Sequence, residues 1–169
     1  MIRGAVAKEI ERKFLVRVEQ LPKGSLTEGA RFVQGYLSVE PVVRIRLARR
    51  PGAPPRAWLT VKGPGSLSRD EFEYEIPPED ADAMVPLCVA VLHKTRWIVT
   101  VGDRRWEVDQ YHERWDGLWI AEVELSHPDD AFERPDWLGQ EVTDDPRYTN
   151  AAIALGRDTL PPVPIPQGG

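Results

Sequence analysis

Segment after segment of this chain carries charge on one side and apolar bulk on the other, and that alternation leaves few folds open. Read at the strand period of two, Lys8-Glu9-Ile10-Glu11-Arg12-Lys13-Phe14-Leu15-Val16 puts Glu9, Glu11 and Lys13 on one face. Ile10, Arg12 and Phe14 take the other. Alternate side chains on an extended strand stand about 7 Å apart. Two carboxylates and an ammonium at that spacing suit an anion that carries a hard divalent metal.

The same pattern recurs. Val6–Val16, Arg31–Val39, Val42–Arg49, Arg56–Lys62, Arg69–Ile76, Val89–Val101, Arg104–Tyr111 and Leu118–Ser126 read as strands. Pro51-Gly52-Ala53-Pro54-Pro55 and Gly63-Pro64-Gly65 break them, and Gly102-Asp103 marks a hairpin. Arg17–Gly29 is polar and reads as a loop or short helix, while Pro77–Leu87 reads as a short helix with proline near its start. Asp136–Gln140 and Thr143–Arg157 read as helical, the latter from the spacing of Tyr148, Ala151, Ala152 and Leu155. Eight strands with few helices predict a mostly β domain whose antiparallel sheet is closed or nearly closed.

At 169 residues the chain is long enough for one domain with a real core. We assign residues 1–158 to that domain and 159–169, rich in proline and glycine, to a disordered tail. The net charge of −5 argues against a general nucleic-acid binder. Cys88 is the only cysteine, which excludes an internal disulfide and a zinc cluster. With no signal-peptide pattern and no apolar run of membrane-spanning length, the expected location is cytoplasmic.

The charged faces sort by sign. Arg44 and Arg46 share one strand, Lys62 the next, and Glu71, Glu73 and Glu75 the one after. Lys94 and Arg96 face across the hairpin from Glu107 and Asp109, and Glu122 and Glu124 close the set. A merely wet sheet face tends to mix signs, and lysine and glutamate are poor strand formers. If the sheet closes with its charged face inward, the cations can grip phosphate oxygens and the glutamates can hold Mg²⁺ or Mn²⁺.

Taken in order, Glu9–Val16, Gln34-Gly35-Tyr36-Leu37, Val43–Arg46, Leu59–Gly63, Glu71–Glu75, Lys94-Thr95-Arg96 and Glu122-Val123-Glu124 resemble the bacterial CYTH-domain proteins of the triphosphate tunnel metalloenzyme superfamily. Leu138–Thr143 and Tyr148-Thr149-Asn150 resemble the C-terminal segment of its short members. The resemblance implies a closed eight-stranded antiparallel β-barrel with peripheral helices, forming a tunnel. It implies that Glu9, Glu11, Glu122 and Glu124 hold a first divalent metal, and that Asp109 with Glu124 holds a second. Lys13, Arg44, Arg46, Lys62, Lys94 and Arg96 match the residues that hold the triphosphate, with Tyr36 at its end and Glu73 an acidic tunnel residue. Catalysis would fall to Glu124, Asp109, Lys13 and Glu73. The second metal would activate a water, and Glu124 or a nearby carboxylate would accept its proton.

The implied reaction is hydrolysis of inorganic triphosphate to pyrophosphate and phosphate. Processing of ATP, thiamine triphosphate or an RNA 5′-triphosphate, and polyphosphate binding without catalysis, are the alternatives. The expected partner is a small polyphosphate, with no nucleic acid and no membrane; a homodimer is compatible. Gly63-Pro64-Gly65-Ser66 lacks the Gly-Lys-Ser/Thr of a P-loop, and His93, His112 and His127 lack metal-ligand spacing.

Overall fold

Alternation of the kind just described folds into a single sheet. The computed structural model describes residues 10–64 and 70–156. Its strands are β1 (Ile10–Val16), β2 (Ala30–Val39), β3 (Val42–Arg49), β4 (Arg56–Lys62), β5 (Glu71–Ile76), β6 (Ala90–Val101), β7 (Arg104–Tyr111), β8 (Trp119–Leu125) and β9 (Leu138–Glu141). Two helices, α1 (Pro78–Met84) and α2 (Asn150–Leu155), accompany them. Every pairing is antiparallel, in the order β5-β4-β3-β2-β6-β7-β8-β1-β9. Among the described residues β5 and β9 end the ladder and do not pair with each other. The residues before Ile10, Arg69 at the start of the fifth predicted strand, and the 159–169 tail lie outside the described residues.

The eight predicted strands are present, and the hairpin turns at Gly102, whose φ of +59° suits glycine. The helical reading of Asp136–Gln140 is wrong: Leu138–Glu141 is the ninth strand, laid on the free edge of β1. Backbone bonds from Arg17 N to Trp137 O and from Val142 N to Lys13 O, both 2.8 Å, flank it. A Cβ on Gly139 would sit 3.1 Å from the Leu15 carbonyl oxygen, so glycine permits this close approach. Within the described part of the helix predicted over Thr143–Arg157, the helix spans Asn150–Leu155, preceded by one 3-10 turn over Pro146–Tyr148. Thr149 caps it, its hydroxyl accepting from Ala152 N at 3.2 Å.

The apolar faces of β1, β6, β7 and β8 build the main core on Phe14, Trp106, Val108, Ala121 and Val123, closed by Trp137 and Leu138. Trp106 meets Phe14 and Trp137 edge-on at 5.8 and 5.5 Å. Truncating this fully buried indole would cost about 3–5 kcal/mol. On the other half of the sheet, α1 lays Ala81 and Met84 against Ile45, Leu47, Ala57 and Leu59, on the side away from Arg44 and Arg46. α2 does the opposite. Its Ile153 packs with Leu92, Tyr111 and Ile120, which share the face of Lys94, Asp109 and Glu122. One end of the charged face is thus filled by a helix. Among the described residues no helix is long and apolar enough to cross a membrane.

Candidate active site

Register carries the charges across the sheet on one side. Lys62 pairs with Glu71, Thr60 with Glu73 and Arg44, Arg96 with Asp109, Glu107 with Glu122, Lys13 with Glu122, and Glu11 with Glu124. The sheet is curled about this face. Lys62 on β4 steadies the charge of Glu11 on β1, although five strands separate them in the ladder. Arg46 on β3 likewise feels Arg96 on β6 and Glu107 on β7.

On one wall, Lys94 Nζ donates to Asp109 at 2.7 Å, and Arg96 binds the same carboxylate through Nε at 2.6 Å and Nη2 at 2.7 Å. Arg96 also pairs with Glu107 and reaches Glu122 at 3.7 Å. Burial works against the Asp109 charge, yet Arg96 and Lys94 outweigh it and hold the carboxyl well below its ordinary range. Burial, aided by the Arg96 charge, pulls Lys94 below its ordinary value. Lys13 bridges Glu122 at 3.3 Å and Glu11 at 3.4 Å. Burial opposes the Lys13 charge too, but Glu122 and Glu11 raise the ammonium above its ordinary range.

The facing wall is β3, β4 and β5. Glu73 accepts from Arg46 Nη2 at 3.3 Å and from Thr60 Oγ1 at 3.1 Å, and stands 3.8 Å from Arg44. Glu71 pairs with Lys62 at 3.2 Å and lies 4.0 Å from Arg44. Arg44 Nη2 donates to Thr60 at 3.3 Å. The Nε groups of Arg44 and Arg46 are buried and find no acceptor among the described residues. Buried donors without partners are rare, and a phosphate oxygen is the acceptor a guanidinium fits best. Burial and the neighbouring Arg44 charge also lower the Arg46 pKa, as expected of a cation short of counter-charge.

The carboxylates show the complementary shortage. Repulsion from Glu122, with burial, raises the Glu11 pKa against the pull of Lys13 and Lys62. Glu124, its register partner, makes no side-chain bond among the described residues. Glu11, Glu122 and Glu124 are hard oxygen donors on one face, and a divalent cation would relieve their repulsion. They fit a metal in chemistry, although among the described residues no three such groups are gathered closely enough to hold an ion. Glu9 lies outside the described residues. Asp109 fits less well, because Arg96 and Lys94 already occupy both of its oxygens.

A model of the CYTH domain matches residues 7–149. The chain belongs to the CYTH domain family. The CYTH domain described here is 40% identical over 153 residues to an inorganic triphosphatase of Acetivibrio thermocellus, covering 88% of this chain and 94% of that protein. It is 36% identical to an inorganic triphosphatase of Nitrosomonas europaea, covering 87% and 97%. Its fold matches the crystal structure of inorganic triphosphatase NE1496 with a TM-score of 0.63 and 31% identity, covering 90% of this chain and 97% of that one.

Three residues of this CYTH site escape a reading based on charge alone. Thr60 is fully buried and ties Arg44 to Glu73. Gln34, buried between the walls on β2, donates to the Tyr36 hydroxyl at 2.7 Å. The Trp58 ring packs against Arg46 at 5.0 Å and Arg56 at 5.1 Å. Their place on the inward face follows from the period of two, which puts Thr60 and Trp58 in line with Lys62. Tyr36 shares that face and is buried beside Arg44, its register partner.

Proposed function

We propose that this CYTH domain hydrolyses inorganic triphosphate to pyrophosphate and phosphate on the curled charged face, with a divalent metal, Mg²⁺ or Mn²⁺, as cofactor. The observation that carries the reading is the double shortage on one face. Arg44 and Arg46 hold buried donors without acceptors, while Glu11 and Glu122 repel each other. A polyphosphate with a divalent cation answers both at once, and the inorganic triphosphatases that this chain resembles support the choice of substrate.

In this reading Lys13, Arg44, Arg46, Lys62, Lys94 and Arg96 bind the phosphate oxygens and hold the chain of phosphates in line. They stabilise the charge that develops on the leaving group. Asp109 keeps Lys94 and Arg96 charged and aimed, and so acts through them. Glu11, Glu122 and Glu124 would hold the metal, which supplies charge neutralisation and activates water. Glu124, among the described residues the carboxylate of this set without a cation partner, would accept a proton.

The test is a substrate panel. Purified protein with Mg²⁺ or Mn²⁺ should release phosphate from tripolyphosphate faster than from ATP, thiamine triphosphate or pyrophosphate, and EDTA should abolish turnover. Cyclic AMP as the main product from ATP would replace hydrolysis with cyclisation.

A further inference from the structure

The two walls neutralise their cations differently. Asp109 and Glu122 are sealed, with 0% and 8% of their side chains exposed. Glu71 and Glu73 keep 22% and 36% exposed and stand on β5, which among the described residues pairs with β4 alone. These two carboxylates engage Arg44, Arg46 and Lys62, the cations expected to take the substrate's phosphates.

We infer that Glu71 and Glu73 are specificity-determining residues, resident counter-ions that a phosphate chain must displace and that select triphosphate against its own shorter products. The inference rests on the triphosphatase reading and deepens it. A bound anion can meet the Nε donors of Arg44 and Arg46 directly, but it gains their Nη2 groups and the Lys62 ammonium only by breaking the contacts that the two carboxylates already make. A triphosphate has enough oxygens and charge to re-pair all three cations on this wall while also meeting Lys13, Lys94 and Arg96 opposite. Pyrophosphate and orthophosphate reach fewer cations, so the displaced carboxylates are poorly compensated. After cleavage, Glu71 and Glu73 can re-pair with Arg44, Arg46 and Lys62 and help to release the fragments. Thr60 favours this return, because its hydroxyl donates to Glu73 and accepts from Arg44.

The test is calorimetric titration of tripolyphosphate and of pyrophosphate into wild type, Glu73→Gln, Glu71→Gln and Glu75→Gln, in Ca²⁺ buffer without Mg²⁺ or Mn²⁺. Glu75 pairs instead with exposed Arg56 at 2.9 Å and serves as the control. Loss of a charged partner should tighten pyrophosphate about fivefold or more in Glu73→Gln and in Glu71→Gln. Tripolyphosphate should change less, so that the ratio of the two dissociation constants narrows, while Glu75→Gln keeps the wild-type ratio. Far-UV circular dichroism of each variant confirms folding, and either of the first two variants suffices for the comparison. An unchanged or wider ratio in the folded variants would overturn the inference. Failure of the triphosphatase reading is visible separately, as wild-type protein that releases no phosphate from tripolyphosphate with Mg²⁺ or Mn²⁺.

Discussion

Lys62 on β4 lies close enough to Glu11 on β1 for its ammonium to favour the Glu11 carboxylate, with β3, β2, β6, β7 and β8 intervening in the ladder. An extended sheet could not bring those two side chains together. Their interaction requires the sheet to curl about its charged side, bringing its two walls within electrostatic reach of each other.

Glu11→Gln and Glu124→Gln should each lower kcat by about 10²-fold or more, the effect of losing one strong electrostatic stabiliser. Each keeps side-chain shape and removes a charge that a metal needs. Steady-state phosphate release measures this. Arg49→Ala is the control, since Arg49 pairs with Asp82 on the exposed surface at 3.0 Å. Both glutamine variants within about twofold of wild type would remove these residues from the site.

Asp109→Asn should destabilise the fold by about 3 kcal/mol or more, because it strips the shared counter-charge from Lys94 and Arg96. A urea midpoint equal to wild type would show that Glu107 and Glu122 alone satisfy the two cations.

Bound tripolyphosphate and metal should stabilise the protein. At a hundredfold excess over Kd the linkage is about 2.7 kcal/mol, or roughly 5–10 °C in Tm for a domain of this size. Triphosphate with Ca²⁺ should raise Tm more than either alone, and Lys13→Ala or Arg46→Ala should shrink the rise. A Tm that does not move would mean that the charged face is ordinary wet surface.

Glu141 sets a pH dependence away from the site. Arg12 holds it at 2.7 and 2.6 Å, Thr143 donates at 2.8 Å, and together they lower its pKa to about 2 against the opposing effect of burial. A free glutamate titrates near ~4.3. The unfolded chain therefore binds the proton first, and the Arg12–Glu141 contribution is complete above about pH 4.3 and is lost as pH falls through about 2. With the pair partly exposed, it is worth no more than about 1 kcal/mol. Glu141→Gln should lower stability at neutral pH and flatten the decline in urea midpoint over that acidic window. A decline as steep as wild type's would assign it to other carboxylates.

The two-faced strands were legible because apolar and charged residues alternate strictly in Val43–Leu47 and Glu71–Ile76, and that period also placed Arg44, Arg46, Glu122 and Glu124 on one side. β9 was not legible. Leu138-Gly139-Gln140-Glu141 has four residues and no alternation of its own, and is a strand only because the edge of β1 offers it a partner. α2 stops short of its predicted length because Pro146 and the Asp145 cap organise a separate turn first. Partner choice within the site was likewise hidden. That Asp109 is bound from both sides by Lys94 and Arg96, or that Thr60 bridges Arg44 and Glu73, depends on cross-strand register and side-chain reach, which spacing along one strand does not contain.

The central claim is that the facing cations and carboxylates cleave inorganic triphosphate once. Phosphorus NMR of tripolyphosphate incubated with the protein and Mg²⁺ or Mn²⁺ tests it most directly. Pyrophosphate and orthophosphate should form together in equal amounts, with neither appearing in EDTA or with Lys13→Ala. Intact tripolyphosphate after prolonged incubation with folded, metal-supplied wild type would contradict it.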